Sequence, residues 1–345
     1  MTPLVSFILP CYNASQWLEQ ALDSLFRQTY ANVEVIAVDD GSTDDTAYLL
    51  ETYRQKEHRL FVERNQRNEG IVVSLNRGLD LANGAYIGRM DADDISHPER
   101  TARQLAYLTE RKIDFCGSWF REVGQGISRT CRWPSSEAAL RAAMIFQNTI
   151  CHPTLMARRE VFERFQYRQS HRLAEDYDLY VRASTHFRMA NVPEVLLDYR
   201  RHPQQSTQAQ RAAMERVTEG IRENSLKQQG FLPTKDELRV HNLIRAPQSI
   251  HSIEDLQAIE AWLNKILAAY SDDEARKVVA SQWIRACVRA APLGRAMWQA
   301  LRRSPLAKIS GINSLTQLDL KVLSVLKLDY HSSPFQALRR LGLSA

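Results

Sequence analysis

Three carboxylates fall within four residues at Asp91-Ala-Asp-Asp94. Residues two apart on an extended segment point to one side, so Asp91 and Asp93 share a face. Carboxylates placed this way repel one another unless a cation sits between them. Mg²⁺ and Mn²⁺ are held by one or two carboxylates together with substrate phosphates. The segment therefore reads as a divalent-metal site holding a diphosphate, with a solvated acidic turn that caps a helix as the plain alternative. A second acidic pair, Asp39 and Asp40, closes a predicted strand. A carboxylate there can accept from a uracil imide N–H or from ribose hydroxyls, or it can cap the following helix, a task that Asp44 can also do. A third group, Glu175, Asp176 and Asp178, leads into an amphipathic helix carrying Leu179, Tyr180 and Ala183. Acids at a helix start complement its dipole, but Glu175 beside Asp176 raises one of the two pKa values if both face a cleft, as a general base requires.

The elements that must position these acids follow from hydrophobic patterning. Leu4 to Leu9 is a short apolar run of the type that fills a parallel strand buried on both faces, with Pro10 ending it. Asn13 and Gln16 have capping-box spacing ahead of Trp17, Leu18, Ala21, Leu22, Leu25 and Phe26 at helical intervals. Val33 to Val38 and Leu60 to Val62 read as strands. Ile71, Val72, Leu75, Leu79 and Ala82 mark a helix that Asn83-Gly84 closes, Ala85 to Met90 is a fourth strand, and Pro98 begins the next helix. Strand–helix alternation means a doubly wound α/β sheet, whose ligands sit beyond the carboxyl ends of the strands. Pro10 to Asn13, Asp39 to Asp44 and Asp91 to Asp94 all follow strand ends and are expected on one rim. His202 follows Arg200 and Arg201 after a strand predicted at Val195 to Tyr199. Beyond about residue 230 only helical patterns remain, at Ser252 to Tyr270 and from a Ser271/Glu274 capping box onward. The expected division is 1–230 as a catalytic α/β domain and 231–345 as a helical C-terminal domain.

No G-x-G-x-x-G follows the first strand and no G-x-x-x-x-G-K-[ST] occurs, so neither the dinucleotide fingerprint nor a P-loop is present. Residues 4–202 instead resemble the family 2 inverting glycosyltransferases of the GT-A fold. Eight segments carry the resemblance in the family's order: Val5-Ser-Phe-Ile-Leu-Pro-Cys-Tyr-Asn13, Val38-Asp-Asp-Gly-Ser-Thr-Asp44, Arg67-Asn-Glu-Gly70, Asn76-Arg-Gly78, Gly84-Ala-Tyr-Ile87 with Asp91-Ala-Asp-Asp94, Pro98 with Arg100, Glu175-Asp-Tyr-Asp-Leu179, and Tyr199-Arg-Arg-His202. The resemblance implies a mostly parallel mixed sheet with a helical appendage. It implies a D-x-D motif in which Asp93 binds Mn²⁺ or Mg²⁺ with Asp91 near metal and ribose, and a metal or pyrophosphate role for His202. It places Pro10, Tyr12, Asn13, Asp39 and Arg77 around the nucleoside and makes Asp176 the catalytic base. Trp133-Pro134 and His152-Pro153 fall where such enzymes build the acceptor side. The implied partners are a nucleotide-sugar donor, UDP favoured, and a glycan or lipid-linked saccharide acceptor of bacterial surface-polysaccharide synthesis.

Composition agrees with a globular chain: 345 residues, 44% hydrophobic and 25% charged. Five cysteines without a C-x-x-C pair read as reduced thiols, and no stretch of 18 apolar residues occurs, which points to a soluble, cytoplasmic protein. The net charge of +5 is unevenly spread, since residues 285–345 hold ten Lys/Arg against two Asp/Glu. A basic end carrying Trp298, Leu301, Arg302 and Arg303 at helical spacing points to an anionic membrane surface at the inner face of the cytoplasmic membrane, or to a protein contact. No nucleic-acid motif accompanies the charge, so no nucleic-acid partner is expected. The alternatives are a haloacid-dehalogenase-like phosphatase, whose D-x-D normally ends the first strand, a pyrophosphorylase, whose Gly-rich first loop is missing, and a silent sugar-nucleotide-binding scaffold.

Overall fold

The computed structural model describes residues 2–203, 211–246, 248–329, 332–334 and 337. The chain divides into two compact units, residues 1–137 with 148–221 and residues 138–147 with 222–345. The second unit thus starts a few residues ahead of the boundary expected at 230, and it also draws in ten residues from the middle of the chain.

In the first unit, β1 (Val5–Cys11), α1 (Leu18–Phe26), β2 (Val33–Asp39), α2 (Thr46–Arg54), β3 (Leu60–Arg64), α3 (Ile71–Leu81) and β4 (Tyr86–Arg89) alternate as the pattern predicts. β1 and β2 are buried along their whole length, which is why they read as continuous apolar runs. After β5 (Ile95–Ser96) and α4 (Arg100–Arg111), β6 (Phe115–Gly124) and β7 (Ile127–Cys131) form a hairpin. β8 (Met156–Arg158), α6 (Arg159–Arg164), α7 (Glu175–Ala183) and β9 (Met189–Arg200) complete the set, while α5 (Glu137–Met144) belongs, all but its first residue, to the second unit. The sheet order is β3-β2-β1-β4-β8-β6-β9-β5, with β7 on β6. β1, β2, β3 and β4 run parallel, β8 is antiparallel to both β4 and β6, and β9 runs parallel to β6. Two reversals restore direction, so the carboxyl end of β9 lies on the same rim as those of β1, β2 and β4. The order reverses at β1, the switch point where such sheets open a crevice.

Several local expectations are corrected. β1 continues through Pro10 to Cys11, because pairing with β4 stops at Ile8 and Pro10 extends the strand against β2 alone. Asn13 is not a helix cap. Its φ is +49°, its N–H donates to Ser42 Oγ at 3.0 Å, and its Oδ1 accepts from the Thr43 N–H at 2.9 Å, so it clasps the loops after β1 and β2. Ala82 rather than a left-handed Asn or Gly follows α3, and Gly84 is small because a Cβ there would meet Ser6 N at 2.6 Å. Pro98 lies two residues before α4.

The second unit is helical throughout its described residues. Helices Lys235–Arg245, Ile253–Leu267, Asp273–Arg289, Arg295–Arg303 and Ser314–Leu326 enclose a core containing Trp262, Leu263, Val279 and Trp283. Asp272 rather than Ser271 caps its helix, accepting from the Ala275 N–H at 2.8 Å. Leu301 is buried in this core and Trp298 packs against it, which removes both from the lipid-facing role expected of them. No described helix is long and apolar enough to cross a membrane, and all five cysteines are unpaired.

Gly41 sits at φ +69°, and a Cβ there would lie 2.5 Å from the Arg67 carbonyl carbon. Gly41→Ala is expected to destabilise the first unit by about 2 kcal/mol or more through strain and displacement of that loop, read as a lowered urea midpoint at unchanged m-value.

Candidate active site

β4 ends at a buried Arg89, and the chain then makes a turn, the Asp94 N–H donating to the Asp91 carbonyl at 3.3 Å, before β5 ties it to β9. The acids therefore converge through a turn rather than along the extended segment expected. One carboxylate oxygen from each of Asp91, Asp93 and Asp94 lies within 4.8 Å of the others. Arg89 forks onto Asp91, Nη1 donating to Oδ2 at 2.8 Å and Nη2 to Oδ1. His202 Nε2 meets Asp93 Oδ2 at 2.8 Å. Asp94 Oδ1 accepts the Arg200 N–H at 2.9 Å, while its buried Oδ2 has no partner. Arg200 Nε donates to the Asp93 carbonyl at 2.8 Å and its guanidinium lies 4.3 Å above the Trp17 ring, so Arg200 braces the turn. Arg201 pairs with Glu122. Arg100, fully buried, donates to the Arg89 carbonyl at 2.8 Å and holds the end of β4 from below.

Burial, then the charges of Asp91 and Asp93, push Asp94 well above the usual carboxylate range. Burial also raises Asp91, against the pull of Arg89. Three crowded carboxylates with an unpartnered Asp94 oxygen make a donor set of hard oxygens that fits Mn²⁺ or Mg²⁺, and His202 Nε2 is held against Asp93 beside it.

The other rim residues sort by their partners. Asp40 accepts from Asn65 Nδ2 at 2.7 Å and from the N–H groups of Glu69 and Gly70 at 2.9 and 2.8 Å, which commits it to holding the loop after β3. Asp39 accepts from the Ser42 N–H at 3.0 Å, with Arg64 Nε 3.1 Å from its other oxygen. Tyr12 is half exposed beside Asn13. Arg77 donates to Asn65 Oδ1 at 2.7 Å and pairs with Glu63, so it joins the Asp40 cluster through Asn65. Pro10 lies buried in β1, level with Val38. Beneath the rim, burial and the charges of Asp39 and Asp91, with smaller contributions from Asp44 and Asp93, raise the Cys11 thiol far above its ordinary range, which marks where the β1, β2 and β4 ends converge.

Asp176 opens α7. Its Oδ2 accepts from Asn148 Nδ2 at 2.6 Å and its Oδ1 from the Tyr177 N–H at 2.8 Å. Burial, then the Glu175 charge, raises it to about 7. Asp178 is committed elsewhere, to Arg182 at 2.8 Å. Arg89 acts on Asp176 as well as on Asp91, and with burial it keeps His152 neutral, Nε2 of which meets the Tyr167 hydroxyl at 2.9 Å. Trp133 packs edge-on to Phe120 at 5.5 Å in the first unit's core. A cavity of about 580 Å³ opens beside His202, lined by Gln16, Trp17, Gln20, Arg200 and Arg201 among others. Reading by residue type missed Arg89, Arg100 and Asn148. An arginine inside an apolar strand, just ahead of three acids, was the available signal for Arg89.

A nucleotide-fold sheet with an acidic turn at its switch point defines a GT-A type α/β protein. The family model "Glycosyl transferase family 2" matches residues 6–165. An uncharacterized glycosyltransferase of Haemophilus influenzae is 33% identical over 221 residues, covering 59% of this chain and 68% of the relative. The chondroitin synthase of Escherichia coli is 35% identical over 196 residues, 53% of this chain and 26% of that protein. Among solved structures, the Pyrobaculum calidifontis mannosyltransferase in complex with GDP-Man and Mn²⁺ superposes with TM-score 0.56 at 18% identity, covering 95% of this chain and 87% of that one. S. aureus TarS in complex with UDP-GlcNAc gives 0.54 at 18% identity, over 98% and 92%. The chain belongs to glycosyl transferase family 2 and is a glycosyltransferase.

Arg89→Met leaves the Asp91 carboxylate half-buried among two like charges without its fork. The expected cost is about 3–5 kcal/mol of first-unit stability, measured by urea unfolding monitored at more than one probe.

Proposed function

We propose that this enzyme moves a sugar with inversion from a nucleotide-sugar donor, UDP-sugar favoured, to a hydroxyl of a glycan or lipid-linked acceptor in surface-polysaccharide synthesis. The observation that carries the reading is the convergence of Asp91, Asp93 and Asp94 at the switch point of the sheet. Relatives named for teichuronic acid and O-antigen biosynthesis support the pathway class, and solved neighbours named with UDP-GlcNAc and with GDP-Man and Mn²⁺ support a nucleoside-diphosphate sugar.

In this reading Asp93, Asp91 and His202 hold a divalent ion, Mn²⁺ or Mg²⁺. When bound, the ion supplies Lewis-acid stabilisation of the charge on the departing diphosphate, worth several kcal/mol. Pro10, Tyr12, Asn13, Asp39 and Arg77 line the nucleoside side, with the Asn13 clasp fixing the loop between β1 and β2. Asp176 takes the proton from the acceptor hydroxyl as that oxygen attacks the anomeric carbon from the face opposite the diphosphate. Asn148 and the Tyr177 N–H hold the carboxylate still for this step. A pKa of about 7 suits a base that must be deprotonated to start the reaction yet accept a proton during it. A nucleotide-sugar donor agrees with a cytoplasmic setting, and residues 1–230 contain every group named in this reaction.

Asp176→Asn is expected to bind donor and metal normally while kcat falls about 10²–10⁴-fold. Isothermal titration and a sugar-transfer assay read the two separately, and normal turnover excludes Asp176 as the base. The pH profile carries the sign of the shift. Because the active form is the carboxylate and the pKa is raised, log kcat/KM should climb with pH to a plateau above about 7. A flat profile between pH 5 and 8 contradicts the assignment.

A further inference from the structure

Eleven large hydrophobic side chains are exposed among the described residues, and five of them lie on the single helix Ser314–Leu326. They are Leu315, Leu318, Val322, Val325 and Leu326, with Val325 72% and Leu315 58% exposed. At 3.6 residues per turn these five fall within an arc of about 100°. The helix also presents Leu320 and Leu323, on its other side, to the core of the second unit, where both are buried. It is therefore apolar on two faces, only one of which is covered by the described residues. Single exposed apolar residues need no explanation, but a contiguous row on one helix face marks a contact surface.

Charge selects the occupant. Between residues 295 and 327 the exposed ionic side chains are all basic: Arg295, Arg302, Arg303, Lys308, Lys321 and Lys327. The sole acid in that span, Asp319, is buried. Lys321 lies on the helix beside the apolar row, whereas the stem of Lys327, at the C-terminal cap, lies over Gly294 on the side away from the row. Helix Arg295–Arg303, which packs against helix Ser314–Leu326, turns Arg295, Arg302 and Arg303 outward while Met297 and Leu301 are buried. Aliphatic side chains with a cation beside them, and with Asp329, set 3.7 Å from His251, the one partly exposed acid just past the cap, match the interface of an anionic bilayer, where the apolar row enters the acyl boundary and the cations meet headgroup phosphates. A second copy would bring the same positive field against itself. Single-stranded nucleic acid calls for stacking aromatics, and the row has none.

We propose that the face formed by Leu315, Leu318, Val322, Val325 and Leu326 of helix Ser314–Leu326, with Lys321 beside it, is a membrane-docking surface that lies in the plane of an anionic lipid interface. The helix lies on the bilayer rather than spanning it, having 13 residues where a span needs about 20. The surface rests on this unit's own residues and stands or falls separately from the transfer reaction.

The test is flotation of the full chain with vesicles of pure phosphatidylcholine and of phosphatidylcholine containing 30% phosphatidylglycerol. The expected result is partition into the anionic vesicles at least about tenfold above the neutral ones, weakened by high salt. Leu318→Gln with Val325→Gln should lower that partition about tenfold, and Lys321→Glu should do likewise. Both variants should keep the wild-type circular dichroism and nucleotide binding. Leu315→Gln with Val322→Gln serves as the replacement should the first pair fail to fold. Equal partition into both vesicle types, or undiminished partition of folded variants, overturns the proposal. So does a wild-type dimer that the Leu318/Val325 variant dissociates in the absence of lipid binding, since the face would then join two copies.

Discussion

Three carboxylates held within 4.8 Å of one another on a partly buried rim repel, and the first unit is arranged around that repulsion. The three acids are answered from the ends of two strands. The end of β4 contributes Arg89 to Asp91, and the end of β9 contributes the Arg200 backbone N–H to Asp94. His202, two residues further on, reaches Asp93. None of this works unless β9 runs in the same direction as β4, which the antiparallel β8 between β4 and β6 makes possible. The sheet's irregular half is thus the part that completes the acidic cluster, while the regular parallel half supplies the rest of the rim.

The same constraint separates acids that hold structure from acids left for chemistry. Asp40 has three donors and Asp178 an arginine in contact, so both lie in the ordinary role of buried carboxylates. Asp94 and Asp176 are different. Burial and like charge raise both, and neither has a cation bonded to its carboxylate. Such groups lower the stability of the empty fold and are kept at sites where a ligand's charge or a transferred proton repays them. Burial dominates at Asp91, Asp176 and His152, and the field of one buried guanidinium, Arg89, reaches all three.

What could be read in the amino-acid sequence follows the range of the interactions. β1, β2 and α3 announce themselves by apolar runs and helical spacing, and the acids at the strand ends by their type. Local caps were less legible. Asn13 and Ser271 had the right neighbours for capping, but a loop 30 residues away claimed the first and Asp272 displaced the second. Long-range partners were not legible at all: Asn148 reaches Asp176 across 28 positions, and residues 138–147 leave the sheet for the helical unit. The basic tail was visible as charge. Which side chains it turns outward was not, because Trp298 and Leu301, the apparent anchors, are needed in the core.

The central claim is that the acidic turn binds a nucleoside diphosphate through a divalent ion. A thermal-shift titration with UDP, dTDP and GDP, each with Mn²⁺ and with EDTA, on the wild type and on Asp93→Ala, tests it most directly. The expected result is a rise in Tm for one nucleotide that needs Mn²⁺ and disappears in Asp93→Ala. A rise that persists in EDTA, or no shift with any of the three, would contradict it and leave Asp91 to Asp94 as an acidic turn without a metal.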